Sequence, residues 1–424
     1  MKRIDKRLRP YCILLSVISL GIIFVFYEFI FQSKDFYINS DQVTIYNLYY
    51  KEWIRLLNEF FSGNGLPLYS WYDFLGSDFY SSLVVNVNTD IFIPFLLLFE
   101  NIEVGLLYET IICIFISGYT MYLFLSSCSI SDIKLKIFIS VIYSFSGWAI
   151  LLYGNYMFHR FYAFLPLLFY TINNFVNRNN CWKLIIISAL LFSQNYYFMF
   201  STLIFTFFYC IVTLLEKKYD LKTIIVKVIQ IYCLLFIGFM IVGIFLIPGI
   251  LYLLSNPRVG HAAPGIFWEF NTYIGFIINL ISSPFPTYSG YDNLFLAGTN
   301  GHQYWYSLQI GMIPLISIIS IIKEKKYRYN IIIVSIFLLV LCFKPFSSII
   351  HGFFEPSIRW TFLLVFYLLY LSAKSLNEKK LNKLDMKIVT YSSVLLILVL
   401  VLLLIIKGYS FVEYKAHLIS ILFV

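Results

Sequence analysis

The sequence predicts an all-α polytopic membrane protein with about 11 transmembrane helices. Three observations carry this. Only 12% of the 424 residues are charged and 60% are hydrophobic, whereas soluble domains carry about 25% charge. Runs such as 331–343 and 394–406 are apolar nearly all round, where the strands of a membrane β-barrel would alternate. Basic residues return in a short segment after every second apolar run, the pattern of cytosolic loops. A chain with 20% aromatic residues would also bury too much apolar surface to stay disordered.

A span needs about 20 apolar residues, or fewer where neighbouring helices shelter it. Eleven segments qualify: 11–31, 104–125, 137–153, 161–176, 184–198, 200–215, 224–253, 306–322, 331–343, 360–376 and 388–406. The basic start, Lys2 to Arg9, leads into an apolar run without a small-x-small cleavage site, so the first run is expected to remain as a helix. The pieces between Leu184 and Leu215 also suit one bent or re-entrant element, which would reverse the side of everything after them. Charge decides. With the N-terminus cytoplasmic, the inner loops and their flanks hold 22 of the 31 Lys and Arg but only 7 of the 22 acids, which satisfies the positive-inside rule at each loop. The net charge of +9 therefore reports topology and not nucleic-acid binding, and the C-terminus is expected outside.

The chain reads as a single transmembrane domain over 1–424 whose non-membrane residues are spent on the outer face, in 32–103, 255–305 and 344–359. These segments are rich in aromatics with Pro and Gly punctuation, which argues for ordered loops. Within the first, Trp53, Ile54, Leu57, Phe60 and Phe61 share one side of an expected amphipathic helix over 43–61, suited to the membrane interface. The run 83–99 is interrupted by Asn86, Asn88, Thr89, Asp90 and Pro94, so it is expected to dip toward the bilayer while lining a polar cavity.

Ionisable groups near a bilayer are costly and are functional candidates by default. Asp41 follows the first span closely and Asp90 lies in the dipping run; two such carboxylates suit a general base and a metal or hydrogen-bond partner. Asp41 equally suits the N-cap of the amphipathic helix. Asp73 and Asp78 read as turn residues, and Glu28 and Glu109 as side chains snorkelling from outer helix ends. All five histidines (His159, His261, His302, His351, His417) map outside, with Arg160, Arg258 and Arg359 close to three of them, the composition of a phosphate pocket. The seven cysteines show no CxxC spacing, and no P-loop, GxSxG, HExxH or GxGxxG stands in the chain.

The order of motifs resembles a family. Asp41 after the first span is followed by Gly65-Leu66-Pro67-Leu68-Tyr69 with Trp71 and Gly76, Asp90 before Pro94, and Leu165-Pro166-Leu167. Then come Asn195-Tyr196-Tyr197-Phe198, Leu246-Ile247-Pro248, and Gly352-Phe353-Phe354-Glu355-Pro356 leading into Arg359-Trp360. Together these resemble the YfhO family of bacterial membrane proteins, over nearly the whole chain. That family is similar to GT-C glycosyltransferases, multi-span enzymes that use polyprenyl-phosphate sugars and carry an acid in the first outer loop. Larger relatives continue into an outer domain after the last span, whereas this chain ends at Val424, as a short or incomplete member would.

The resemblance implies a GT-C-like arrangement in a bacterial cell membrane. It implies transfer of a sugar to a cell-envelope polymer such as teichoic or lipoteichoic acid. Asp41 would be the catalytic acid of the first loop and Asp90 a second one; Arg359, Arg258, Arg160 and His261 would receive the donor phosphate. Gln194, Asn195, Tyr196, His159 and His302 would meet the sugar or acceptor, although Gln194 to Tyr196 suit helix-joining as well. No cofactor is required by the residues, and a divalent metal remains open. Two other readings stay open. A carrier of lipid-linked glycan would need midplane polar sites and repeats, and neither is visible; a non-catalytic membrane scaffold would need no site at all.

Overall fold

The computed structural model describes residues 8–32, 34–36, 42–65, 69–70, 77–78, 89–254, 265–268, 273, 308–353, 356–378 and 391. Asp41, Arg258, His261, His302 and, apart from residue 391, the expected span 388–406 lie outside the described residues. The architecture is helical, as expected. In chain order the helices are α1 (Arg9–Val25), α2 (Tyr27–Phe31), α3 (Asn47–Glu59), α4 (Ile93–Leu96), α5 (Ile102–Ser127), α6 (Ile133–Ser144), α7 (Gly147–Leu151) and α8 (Tyr156–Arg178). There follow α9 (Cys181–Gln194), α10 (Tyr196–Glu216), α11 (Leu221–Leu254), α12 (Met312–Ile321), α13 (Arg328–Cys342), α14 (Lys344–Ile350) and α15 (Phe362–Glu378). A two-residue antiparallel ladder joins Tyr69–Ser70 to Ser77–Asp78, so Asp78 pairs with Tyr69 instead of forming a turn.

Among the described residues, four helical stretches are long and apolar enough to cross a membrane: Ile102–Ser127, Ile133–Ile150, Tyr196–Glu216 and Leu221–Leu251; Arg9–Val25 and Cys181–Gln194 are shorter apolar helices. The expected span 11–31 is broken at Phe26 and the expected span 137–153 at Phe145–Ser146, where Ser146 Oγ caps the next turn by accepting from Ala149 N. α8 is the most polar long helix, yet it is buried along most of its length. It and α15 form the centre of the bundle, with the rings of Phe169 and Phe366 stacked at 4.7 Å and Phe124 at 4.8 Å from Phe366. Helices ringed by protein need no lipid-facing surface, which is why α8 can carry His, Arg and Asn.

Pro166 sits inside α8 and cannot donate to the carbonyl of Tyr162. Tyr143 on α6 does so instead, its hydroxyl donating to Tyr162 O at 2.8 Å. A neighbouring helix thus satisfies the group that proline leaves bare.

The stretch 184–215 is two helices, not one bent element. Asn195 ends α9 and caps α10, its Oδ1 accepting from Phe198 N at 2.8 Å. The far ends return to one face, since Lys217 after α10 donates to Asn177 just ahead of α9. Other basic loops meet on that face too: Ser131 N donates to Asn377 Oδ1 at 3.1 Å, Lys326 pairs with Glu378 at 2.7 Å, and Lys374 pairs with Glu216 at 2.6 Å. The loops grouped by charge are therefore grouped in space.

Small residues let α9 and α11 approach closely. A Cβ on Gly238 would lie 2.6 Å from Ser188 Cβ and 2.9 Å from the Ala189 backbone nitrogen. Backbone cannot rotate away, so Gly238→Ala should lower the unfolding temperature of the purified protein, at a cost of about 1–3 kcal/mol. An unchanged melting curve would show that the helices are not in tight contact there.

Candidate functional site

Opposite the basic face, the first turns of α8 gather residues from α3, the 89–92 segment, α5 and α9. Arg160 lies 18 residues before Arg178, roughly 27 Å along the helix axis, and is 1% exposed. Its Nη1 lies 2.6 Å from Asp90 Oδ2, 2.5 Å from Glu109 Oε1 of α5 and 2.6 Å from the hydroxyl oxygen of Tyr50 on α3, so its two hydrogens are shared among three acceptors. Its Nε donates to Gln194 Oε1, at the end of α9, at 3.1 Å. Tyr50 completes a ring by donating to Asp90 Oδ2 at 2.6 Å.

Each partner is held in turn. Asp90 Oδ1 accepts from Phe92 N at 2.8 Å, a local turn that fixes the carboxylate. Gln194 Nε2 donates to Thr89 O at 3.0 Å, and the Thr89 hydroxyl donates to Ser193 O. One guanidinium thus ties α3, the strap at 89–92, α5 and α9 to α8. Burying these groups is expensive; the shared hydrogen bonds offset part of that cost, and Glu109 Oε2 is left without one among the described residues.

A second tether lies one turn earlier. The Tyr156 hydroxyl accepts from Gln42 Nε2 at 2.8 Å and donates to Asn47 Oδ1 at 3.1 Å, while Gln42 Nε2 also donates to Phe36 O at 2.8 Å. Gln42 immediately follows Asp41. The helix α3 turns Tyr50, Trp53 and Leu56 inward, while Leu48 and Phe61 are exposed and Arg55 pairs with Glu52 and Glu59. Its apolar stripe therefore divides between protein and surroundings, and Trp53 belongs to the protein side.

The proposed site residues sort as follows. Asp90, Arg160 and Gln194 come together, but with their polar groups committed to one another. Asn195 is a helix cap, and Tyr196 is half-buried. His159 is buried with its ring edge-on to Tyr153 at 5.0 Å, and its Nε2 has no hydrogen-bond partner among the described residues. Arg359 opens the turn before α15, with its guanidinium carbon 6.0 Å from the Phe158 ring, and so stands near the same end of α8. His351 meets Tyr197 edge-on at 4.3 Å. Among the described residues, no group of three His, Cys, Asp or Glu could hold a metal ion.

Two members of the network, Tyr50 and Glu109, were not expected. Glu109 does not snorkel: it is 1% exposed and one oxygen, Oε2, has no partner among the described residues. Its position was the available signal, because seven residues into α5 it sits roughly 10 Å from the helix end, beyond easy reach of water. Tyr50 carried no signal among 35 tyrosines. No curated protein matches the chain. The family profile described as bacterial membrane protein YfhO matches residues 12–424, and with this coverage of a helical, apolar chain the protein belongs to the YfhO family of bacterial membrane proteins.

Proposed function

We propose that this protein is a GT-C-type membrane glycosyltransferase of about 11 spans, with its N-terminus cytoplasmic and its C-terminus outside. It moves a sugar from a polyprenyl-phosphate donor to a cell-envelope polymer, such as teichoic or lipoteichoic acid, on the outer face. The observation that carries this reading is the double tether of the first outer segment to α8, through Gln42 and Tyr156 and through Tyr50, Asp90 and Arg160. A general base needs a rigid seat near its proton donor, and the residue ahead of the tethered Gln42 is Asp41.

In the proposed reaction Asp41 accepts the proton of an acceptor hydroxyl as that oxygen attacks the anomeric carbon. The bond from the sugar to the phosphate breaks, and polyprenyl phosphate leaves with the electron pair. Arg359, with Arg258 and His261, stabilises the developing phosphate charge; Tyr196, His159 and His302 meet the sugar or acceptor. Asp90 and Arg160 act as positioning residues, because the guanidinium already faces two carboxylates and has little charge left for a phosphate.

The direct test is transfer of labelled sugar from polyprenyl phosphate to lipoteichoic acid by the purified protein, with and without EDTA. Loss of label from the lipid and its gain by the polymer is the expected result; retention of all label on the lipid across a panel of sugars would overturn the reading. Within that assay, Arg359→Lys keeps the charge but loses the planar fork, so donor affinity should fall roughly tenfold. Equal affinity would make Arg359 an interfacial anchor over Phe158.

A further inference from the structure

On the basic face, the end of α8, the start of α9 and the first turns of α11 enclose a groove of about 830 Å³, within the range of small-molecule sites. We propose that this groove binds an anionic phospholipid of the leaflet that meets the basic loops. The site is far from the proposed reaction centre and does not depend on it.

Lys222, Val226, Ile229 and Cys233 line the groove at about one-turn spacing along one face of α11. They run from charge to hydrocarbon over 11 residues, roughly 16 Å, which is about half of a bilayer core of about 30 Å. Phe175 and Leu234 add apolar wall. Only 28% of the apolar window of α11 is buried, and Val226 and Ile229 of the groove wall are exposed, which leaves this face free to meet acyl chains. Its polarity therefore matches a headgroup and the upper part of its chains, lying along the helix as they lie in a leaflet.

The charge is uncommitted. Two lysines elsewhere on this face pair with acids, Lys326 with Glu378 and Lys374 with Glu216, while Lys217 donates to the neutral Asn177. Lys227 has neutral partners, Asn179 Oδ1 at 3.4 Å and the Phe175 ring at 5.6 Å. The Lys222 side chain has no hydrogen bond or ion pair among the described residues. The nearest acid in sequence, Asp220, accepts from Thr223 Oγ1 at 2.6 Å and from its backbone nitrogen at 3.3 Å, and no acid is among the described residues lining the groove. Two positive charges over an apolar wall call for a phosphate with acyl chains, and a zwitterionic headgroup would answer only half of that.

The test uses native mass spectrometry of the full-length protein in detergent, titrated with phosphatidylglycerol, phosphatidylcholine and glycerol 3-phosphate. Phosphatidylglycerol should be retained selectively. The double variant Lys222→Gln/Lys227→Gln should lose about tenfold or more of that retention, while Lys134→Gln/Lys325→Gln, which removes equal charge from the same face, should lose none. Equal retention of the two lipids by wild type would overturn the proposal before any variant is made. So would equal loss in the control variant, which would report general surface charge, or displacement of the lipid by glycerol 3-phosphate alone, which would report a free-anion site.

Discussion

Arg160→Met should be the most damaging single substitution in the half of the bundle opposite the basic loops. The variant leaves Asp90 and Glu109 facing each other without a cation, inside protein, and strips the Tyr50 hydroxyl and Gln194 of a partner. Removing one side of a buried ion pair costs about 3–5 kcal/mol, chiefly through the charges left behind. The purified protein should melt well below wild type and lose sugar transfer. Adding Asp90→Asn and Glu109→Gln removes those charges, so the triple variant should regain much of the lost stability; coupled residues are expected to be non-additive in this way. A wild-type melting temperature for Arg160→Met would show that the network does not hold the segments together. Failure of the triple variant to improve on the single one would place the loss in packing instead of charge.

Asp41→Asn should abolish transfer with little effect on folding. An amide of nearly the same size cannot take a proton, and the loss of a general base is worth about two to four orders of magnitude in rate. Asn is also a good N-cap, whereas Ala lowers stability by about 1 kcal/mol. Single-turnover transfer and melting temperature for wild type, Asp41→Asn and Asp41→Ala therefore distinguish a base from a cap. A base predicts that both variants are inactive and that Asn melts like wild type. Wild-type transfer by Asp41→Asn would end the catalytic assignment and return the residue to a capping role, and a carrier of lipid-linked glycan would also tolerate the change.

Much of the architecture was legible in the chain because its causes are local. Whether a run of residues prefers lipid to water depends on that run alone, and the helices 102–127, 196–216 and 221–254 fall within a few residues of the expected spans. Loop charge is local too, and the contacts of Lys326, Lys374 and Lys217 on one face follow the grouping it implied. What periodicity could not reveal was the order of burial. α8 looked like one span among many, yet it is central, because its polar residues find partners on helices far away in sequence.

The site divides in the same manner. Composition and motif order brought Asp41, Asp90, Arg160 and Arg359 to notice, since a charge near a bilayer is conspicuous wherever it stands. Only the tertiary structure decided which of those charges neutralise one another: Arg160 meets Tyr50 across 110 residues, Asp90 across 70 and Glu109 across 51. A carboxylate on its own in sequence can be a base, a cap or half of an ion pair. The difference is made by what lies within about 3 Å of its oxygens, and that distance is set by helix packing, which no local window of the chain contains.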